Sequence, residues 1–282
     1  MRSLSFVLLV AVAGISGCAG ENLTEPALDP YDPGPGSTPV CMPNLDGRID
    51  ATEMPVALGL PVSFRVSPNG EERTIDVAGL QEGSQILWDW SGTANDQVFQ
   101  MIPTPLAGFW FADEFPGGSF VLPVDPSGST LGVYSRTDDA VRLHGVASAD
   151  ETPASGKILL PYDDAIDLYR FPIEPGSAWT VTGTITSGTW NGAPYAGYDE
   201  YEVAVDGRGT LALPELTFTE AHRVRTNLTV QPAFGFPTSR RLVSWMFECF
   251  GEVARAQSRL DENAENFTVA SEVRRLGILP PE

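Results

Sequence analysis

YEVAVDGRGTLAL (residues 201–213) and EAHRVRTNLTV (residues 220–230) both alternate with a period of two. In the first, Tyr201, Val203 and Val205 share a face, and Leu211 and Leu213 resume the alternation after Asp206-Gly207-Arg208-Gly209. In the second, His222, Val224, Thr226, Leu228 and Val230 share a face, with Arg223, Arg225 and Asn227 on the other. Side chains that change face at every residue require extended strands. Asp206-Gly207 reads as a β hairpin or tight bend.

Working outward, the same signal recurs in VSFRV (62–66), QILWDW (85–90), AVRLHGV (140–146), WTVTGTI (179–185), LVSWMFECF (242–250) and FTVASEV (267–273). With 28 glycines and 24 prolines, the chain is punctuated as an all-β protein is. Only residues 251–260 hint at a helix, and they suit a strand equally well. The expected fold is all-β with little helix, an antiparallel curved sheet or open barrel, or else a two-sheet sandwich.

The N-terminus carries a different message. Arg2 precedes the apolar run Leu4–Ile15, and Ser16-Gly17 leads into Cys18. The run is shorter than the roughly twenty residues of a membrane-spanning helix and ends in small residues, as a cleaved signal does. Ile15-Ser16-Gly17-Cys18 resembles the lipobox of bacterial lipoproteins, which implies acylation of Cys18 and a membrane partner reached through acyl chains. The non-aspartate Ala19 implies, by resemblance to sorting signals, the outer membrane. The expected organisation is a signal peptide (1–17), an acidic Pro/Gly-rich tether (18–40), a loop segment (41–56), a single β domain (57–278) and a tail (279–282).

With Cys18 lipidated, Cys41 and Cys249 remain, and in an oxidising compartment they form either one disulfide or two buried free thiols. The segment from Met42 to Glu53 resembles an EF-hand or dockerin-type loop. Gly47 takes its sixth place, Asn44 and Asp46 the third and fifth, the Arg48 carbonyl the seventh, Asp50 the ninth and Glu53 the twelfth. Calcium is therefore a candidate ligand of Asn44, Asp46, Arg48, Asp50 and Glu53. Met42, at the first place, offers no side-chain oxygen, and the alternative is a plain Asn/Asp-Gly turn.

Three further patterns are WDWS (88–91), LYRFPIEPGSAW (168–179) and VDGRGTLALP (205–214) with Arg223-Val224-Arg225 after it. On these the chain from about Gln81 to Leu276 resembles a group of secreted or lipid-anchored bacterial β-proteins. That resemblance implies paired antiparallel strands and brings no activity with it.

The formal net charge of −20 repels phosphate backbones, so nucleic acid is not an expected partner. Zinc-helix, serine-elbow and nucleotide-loop motifs are absent from the sequence, and His144 and His222 are too few for a multi-histidine metal site. The acidic pairs Asp113-Glu114, Asp138-Asp139, Asp163-Asp164 and Asp199-Glu200 leave a carboxylate-based, glycosidase-like hydrolase as the enzymatic alternative. Adjacent strand residues face opposite ways, however, so such pairs suit solvated turns better. Most aromatics read as core. Trp190 and Tyr195, in GTWNGAPYAG (188–197), read as exposed and are the candidate ligand-binding pair. The expected function is a non-enzymatic ligand-binding or structural module of the cell envelope, with a saccharide, an apolar ligand or an envelope protein as partner.

Overall fold

A computed structural model describes residues 41–83 and 85–278, so the expected signal peptide, Cys18, the expected tether and the tail lie outside the described residues. The strands in chain order are β1 (Val62–Val66), β2 (Arg73–Thr74), β3 (Leu80–Glu82), β4 (Gln85–Asp89), β5 (Gln97–Met101), β6 (Thr104–Pro105), β7 (Phe120–Pro123) and β8 (Thr130–Arg136). They continue with β9 (Ala140–Ser148), β10 (Leu159–Arg170), β11 (Ala178–Trp190), β12 (Ala193–Ala212), β13 (Thr217–Pro232), β14 (Thr238–Phe247), β15 (Gly251–Ser258) and β16 (Val269–Leu276). Helical structure among the described residues is limited to two 3-10 turns, Ala51–Glu53 and Ala112–Glu114. Residues 251–258, where a helix or a strand was open, form β15.

The fold is all-β, built on one large curved sheet that does not close into a barrel. Its path runs β5-β1-β16-β15-β14-β13-β12-β11-β10-β9-β8-β7-β6, with β2, β3 and β4 as side branches. The two ends of the path, β5 and β6, are separated in sequence only by Ile102-Pro103. Three Cα–Cα steps span at most roughly 11 Å, so the edges must approach at this corner. They do not pair there. Pro103 and Pro105 have no N–H to donate, which blunts the edge. Curvature also shows across the interior. Tyr169 on β10 donates a 3.3 Å hydrogen bond to Glu252 on β15, although four strands separate them in the path.

The Asp206-Gly207 expectation needs correcting. There is no hairpin: β12 runs through these residues as one twenty-residue strand. Val205 pairs with Val224 and Gly207 with Arg223, so Asp206 is an extra, bulged residue. One inserted residue reverses which face the alternation serves. Tyr201, Val203 and Val205 therefore pack with Ile166, Ile173, Trp179, Val224 and Met246. Beyond the bulge Leu211 packs instead with Trp88, Trp90, Phe218 and Trp245. The bulge also divides the strand's partners. Its first half lies between β11 and β13, and its second half adds β4 in parallel, with Leu211 opposite Trp88.

The second of these cores centres on three tryptophans. Trp245, fully buried, meets Trp90 edge-on at 4.3 Å and Trp88 at 5.7 Å. The indole N–H groups of Trp88 and Trp90 are satisfied by the carbonyls of Ala78 and Asp76. A third cluster holds Phe111, Phe115, Val121, Leu131 and Val133, with Trp110 packed against it. Most aromatics are core, as read from the sequence.

Candidate functional site

β11 to β14 lie side by side, and their register lines up residues of the polar face in rows. Thr180 stands opposite Glu202, Glu202 opposite Asn227, and Asn227 opposite Arg241. In the neighbouring row Ala178, Ala204, Arg225 and Val243 are aligned. The alanines are short and the arginines beside them long, so a hollow forms between the rows. The residues from Glu262 to Asn266, between β15 and β16, supply its wall. The resulting open cleft measures about 560 Å³ and is lined by Thr180, Glu202, Asp206, Arg225, Asn227, Arg241 and Glu265, among others. That volume falls in the range of small-molecule sites.

The polar groups of the cleft hold one another in place. Asn227 donates to Glu202 at 2.7 Å, and Arg241 to the Glu262 carbonyl at 3.0 Å. Arg225 donates to Asp206, to the Glu265 carbonyl and to the Asn266 side chain. Behind it, Arg223 is buried. It donates to Asp206 at 2.8 Å and to the Val77 and Ala78 carbonyls at 2.8 and 3.0 Å, and lies over the Trp88 ring at 5.2 Å. Burial pushes the Arg223 guanidinium below its usual pKa, while the Asp206 carboxylate opposes that shift. The bulge at Asp206 thus joins core and cleft: one carboxylate fixes a buried arginine and a cleft arginine together.

The residues singled out from sequence are placed as follows. Trp190 is exposed at the β11–β12 turn, whereas Tyr195 is half-buried, and neither lines the cleft. Asp199 and Glu200 do face opposite ways, Asp199 inward against the Tyr162 hydroxyl. Burial raises the Asp199 carboxyl above its usual range, opposed by that hydrogen bond. His144 meets Ser135 at 2.7 Å, with Ser135 buried and the imidazole beside Gly117. The cleft residues were missed because no single one is distinctive. Their signal was the polar face of the alternation, Glu202 against Arg225 and Asn227.

Cys41 and Cys249 stand at disulfide distance, with Cα atoms 5.4 Å apart. The loop they adjoin is tied to the sheet at several points. Asn44 and Leu45 donate their N–H groups to Glu248 at 2.6 and 2.9 Å, and Ile49 forms a β-bridge with Ile173. His222, fully buried, contacts the Gly47 carbonyl at 3.0 Å. Gly47 has φ +93°, a backbone conformation that favours glycine. The calcium donors do not converge. Arg48 sits against Asp46 and Asp50 at 3.7 and 3.2 Å, and Glu53 turns back to accept the Asp50 N–H at 2.8 Å. Among the described residues no group of three or more His, Cys, Asp or Glu is arranged to hold a metal.

Burial lowers the pKa of His222, with Arg208 adding to the shift and the Gly47 carbonyl and Glu248 opposing it. The unfolded state then binds the proton more readily than the folded state. The stability His222 confers is complete above its ordinary pKa near 6.5 and is lost as pH falls below it. Thermal melts from pH 8 to pH 5 are expected to show this decline, and His222→Gln should flatten that portion. An unchanged slope in the variant would exclude His222 as its source.

Comparison with family models, curated proteins and solved structures finds no match.

Proposed function

We propose that this chain is an extracytoplasmic, lipid-anchored protein of the bacterial cell envelope, acylated at Cys18, whose β domain binds a hydroxyl-rich ligand, a saccharide, without transforming it. The observation that carries the ligand reading is the cleft on β11–β14. Its lining mixes arginine donors, carboxylate acceptors and Asn227, which has both, with apolar positions such as Ala178, Ala204 and Val243. Polar groups for hydroxyls beside apolar patches for ring faces suit a sugar. The anchoring reading rests on the sequence from Arg2 to Cys18.

The hydrolase alternative draws less support. A glycosidase needs one carboxyl to protonate the leaving group and another to attack or to activate water. Asp206 is engaged by Arg223 and Arg225, and Glu202 by Asn227, which makes them parts of a fixed hydrogen-bonding surface.

Calorimetric titration with a panel of neutral and uronic-acid oligosaccharides tests the reading. At least one member should bind, and Asn227→Ala and Arg241→Ala should each weaken it about tenfold, the effect of losing a hydrogen bond to a charged or fixed partner. Cys18→Ala should leave this binding intact while releasing the protein from membranes. No binding by any sugar, or binding indifferent to both cleft substitutions, would remove the ligand assignment.

A further inference from the structure

Residues 175–198 and 226–239 contain no Asp, Glu, Lys or Arg, in a chain whose charged fraction is 19%. Several charges would be expected over stretches of this length, and their absence is concentrated in one place. The first stretch runs through β11 and the turn at Asn191-Gly192 into β12. The second is the end of β13, the turn QPAFGFP (231–237) and the start of β14. Gly197 stands opposite Pro232, and the Ala233 N–H donates to the Ala196 carbonyl at 2.8 Å. The two hairpin ends are therefore neighbours, and together they make an uncharged double tip, flanked by the loops that carry Lys157 and Asp261.

That end carries aromatics in water. Phe234 is 94% exposed and Phe236 90%, far beyond the other exposed aromatics. Trp190 and Tyr198 on the adjoining hairpin are exposed at 47% and 42%. The Phe pair flanks Gly235, at φ +116°, between Pro232 and Pro237. Proline restricts the backbone on either side, so the rings are held outward at little further entropic cost. Nothing within the described chain packs over them.

We propose that this double-hairpin end is a membrane-interface tip, inserting Phe234 and Phe236 into the headgroup and upper acyl region of an electrically neutral phospholipid surface, with Trp190 and Tyr198 at the interface. Three observations select this occupant. Phe234 and Phe236 stand almost wholly in water on a single turn, an area small beside what a stable protein interface buries. Trp and Tyr, apolar in body with a polar edge, favour the water–lipid boundary. The acidic body is repelled by anionic lipid, whereas the charge-free tip meets a neutral surface without that penalty. Two rings make a weak, reversible contact, which becomes effective beside a second anchor. With Cys18 acylated, residues 19–40 span at most roughly 75 Å, long enough to let the tip reach the same bilayer. The inference is independent of the cleft and of its ligand.

The full chain carrying Ala233→Cys, labelled with an environment-sensitive dye, is reconstituted with phosphatidylcholine vesicles. Insertion predicts a lipid-dependent rise in dye emission and quenching by lipids brominated on the upper acyl chain. The Phe234→Ser/Phe236→Ser pair should shift the inserted-to-free ratio at least tenfold, given the apolar area removed. Both residues are exposed, so the melting temperature of the double variant should be unchanged, which separates loss of insertion from loss of fold. A dye that stays in water with and without lipid overturns the proposal. A dye already buried without lipid, in a concentration-dependent way, overturns it in favour of contact between protein copies.

Discussion

Asp206→Ala is expected to lower the unfolding free energy by about 3 kcal/mol, because it leaves the Arg223 guanidinium buried without its counter-charge. Arg223 cannot escape to solvent. It is only 7% exposed, is covered by Trp88 and is bonded to two main-chain carbonyls. The same substitution releases Arg225 from one of its three fixed contacts, so any affinity of the cleft for a saccharide should fall in parallel. Urea titration gives the stability term. Asp206→Asn, which keeps the shape and loses the charge, should cost less. Pairing Asp206→Ala with Arg223→Met should recover part of the loss, since removing both members of a buried pair is cheaper than removing one. A loss below about 1 kcal/mol for Asp206→Ala, with no recovery in the double variant, would show that the pair does not hold the bulge.

Trp245→Ala is expected to be more damaging still, at about 3–5 kcal/mol. Trp245 is fully buried on β14 and touches both Trp88 and Trp90, so its removal opens a cavity between strands that are remote in sequence. The surrounding sheet is hydrogen-bonded on both sides and cannot collapse to fill it. For a domain of this size the melting temperature should drop by roughly 10 °C. Trp245→Phe separates packing from polarity. The Trp245 indole N–H is buried without a partner among the described residues, so phenylalanine gives up no hydrogen bond seen there and should cost well under half of the alanine loss. Equal losses for the two variants would mean that the shape of the indole matters more than the cavity.

Much of the architecture was legible before any coordinates. Residues 179–185, 201–205 and 222–230 alternate so cleanly that strand and face could both be assigned. On β13, Val224 and Leu228 share a face and a core as the alternation predicts, while Ala221 and Arg223 of the other face are buried as well. Most aromatics read as core, and Trp88 and Trp90 are among those that are. Such readings succeed because a strand's face is set by its own period, a strictly local property.

The bulge at Asp206 resisted for the opposite reason. Asp-Gly is a good turn pair, and only the register with Val224 and Arg223 shows that the strand continues. The cleft was hidden likewise. Glu202, Asn227 and Arg241 become neighbours through pairing across three strands, and the wall from Glu262 to Asn266 arrives from another part of the chain. In the loop from Met42 to Glu53 the spacing resembles a calcium site, and the structure shows Arg48 paired with Asp46 and Asp50. The alternation thus placed segments such as 179–185, 201–205 and 222–230 in strands and set which of their residues share a face, since both follow from neighbouring residues, whereas β5 and β10 carry no alternation that was read. Register, the closing of the cleft and the orientation of the loop carboxylates waited on the tertiary structure, because each depends on contacts between residues far apart in the chain.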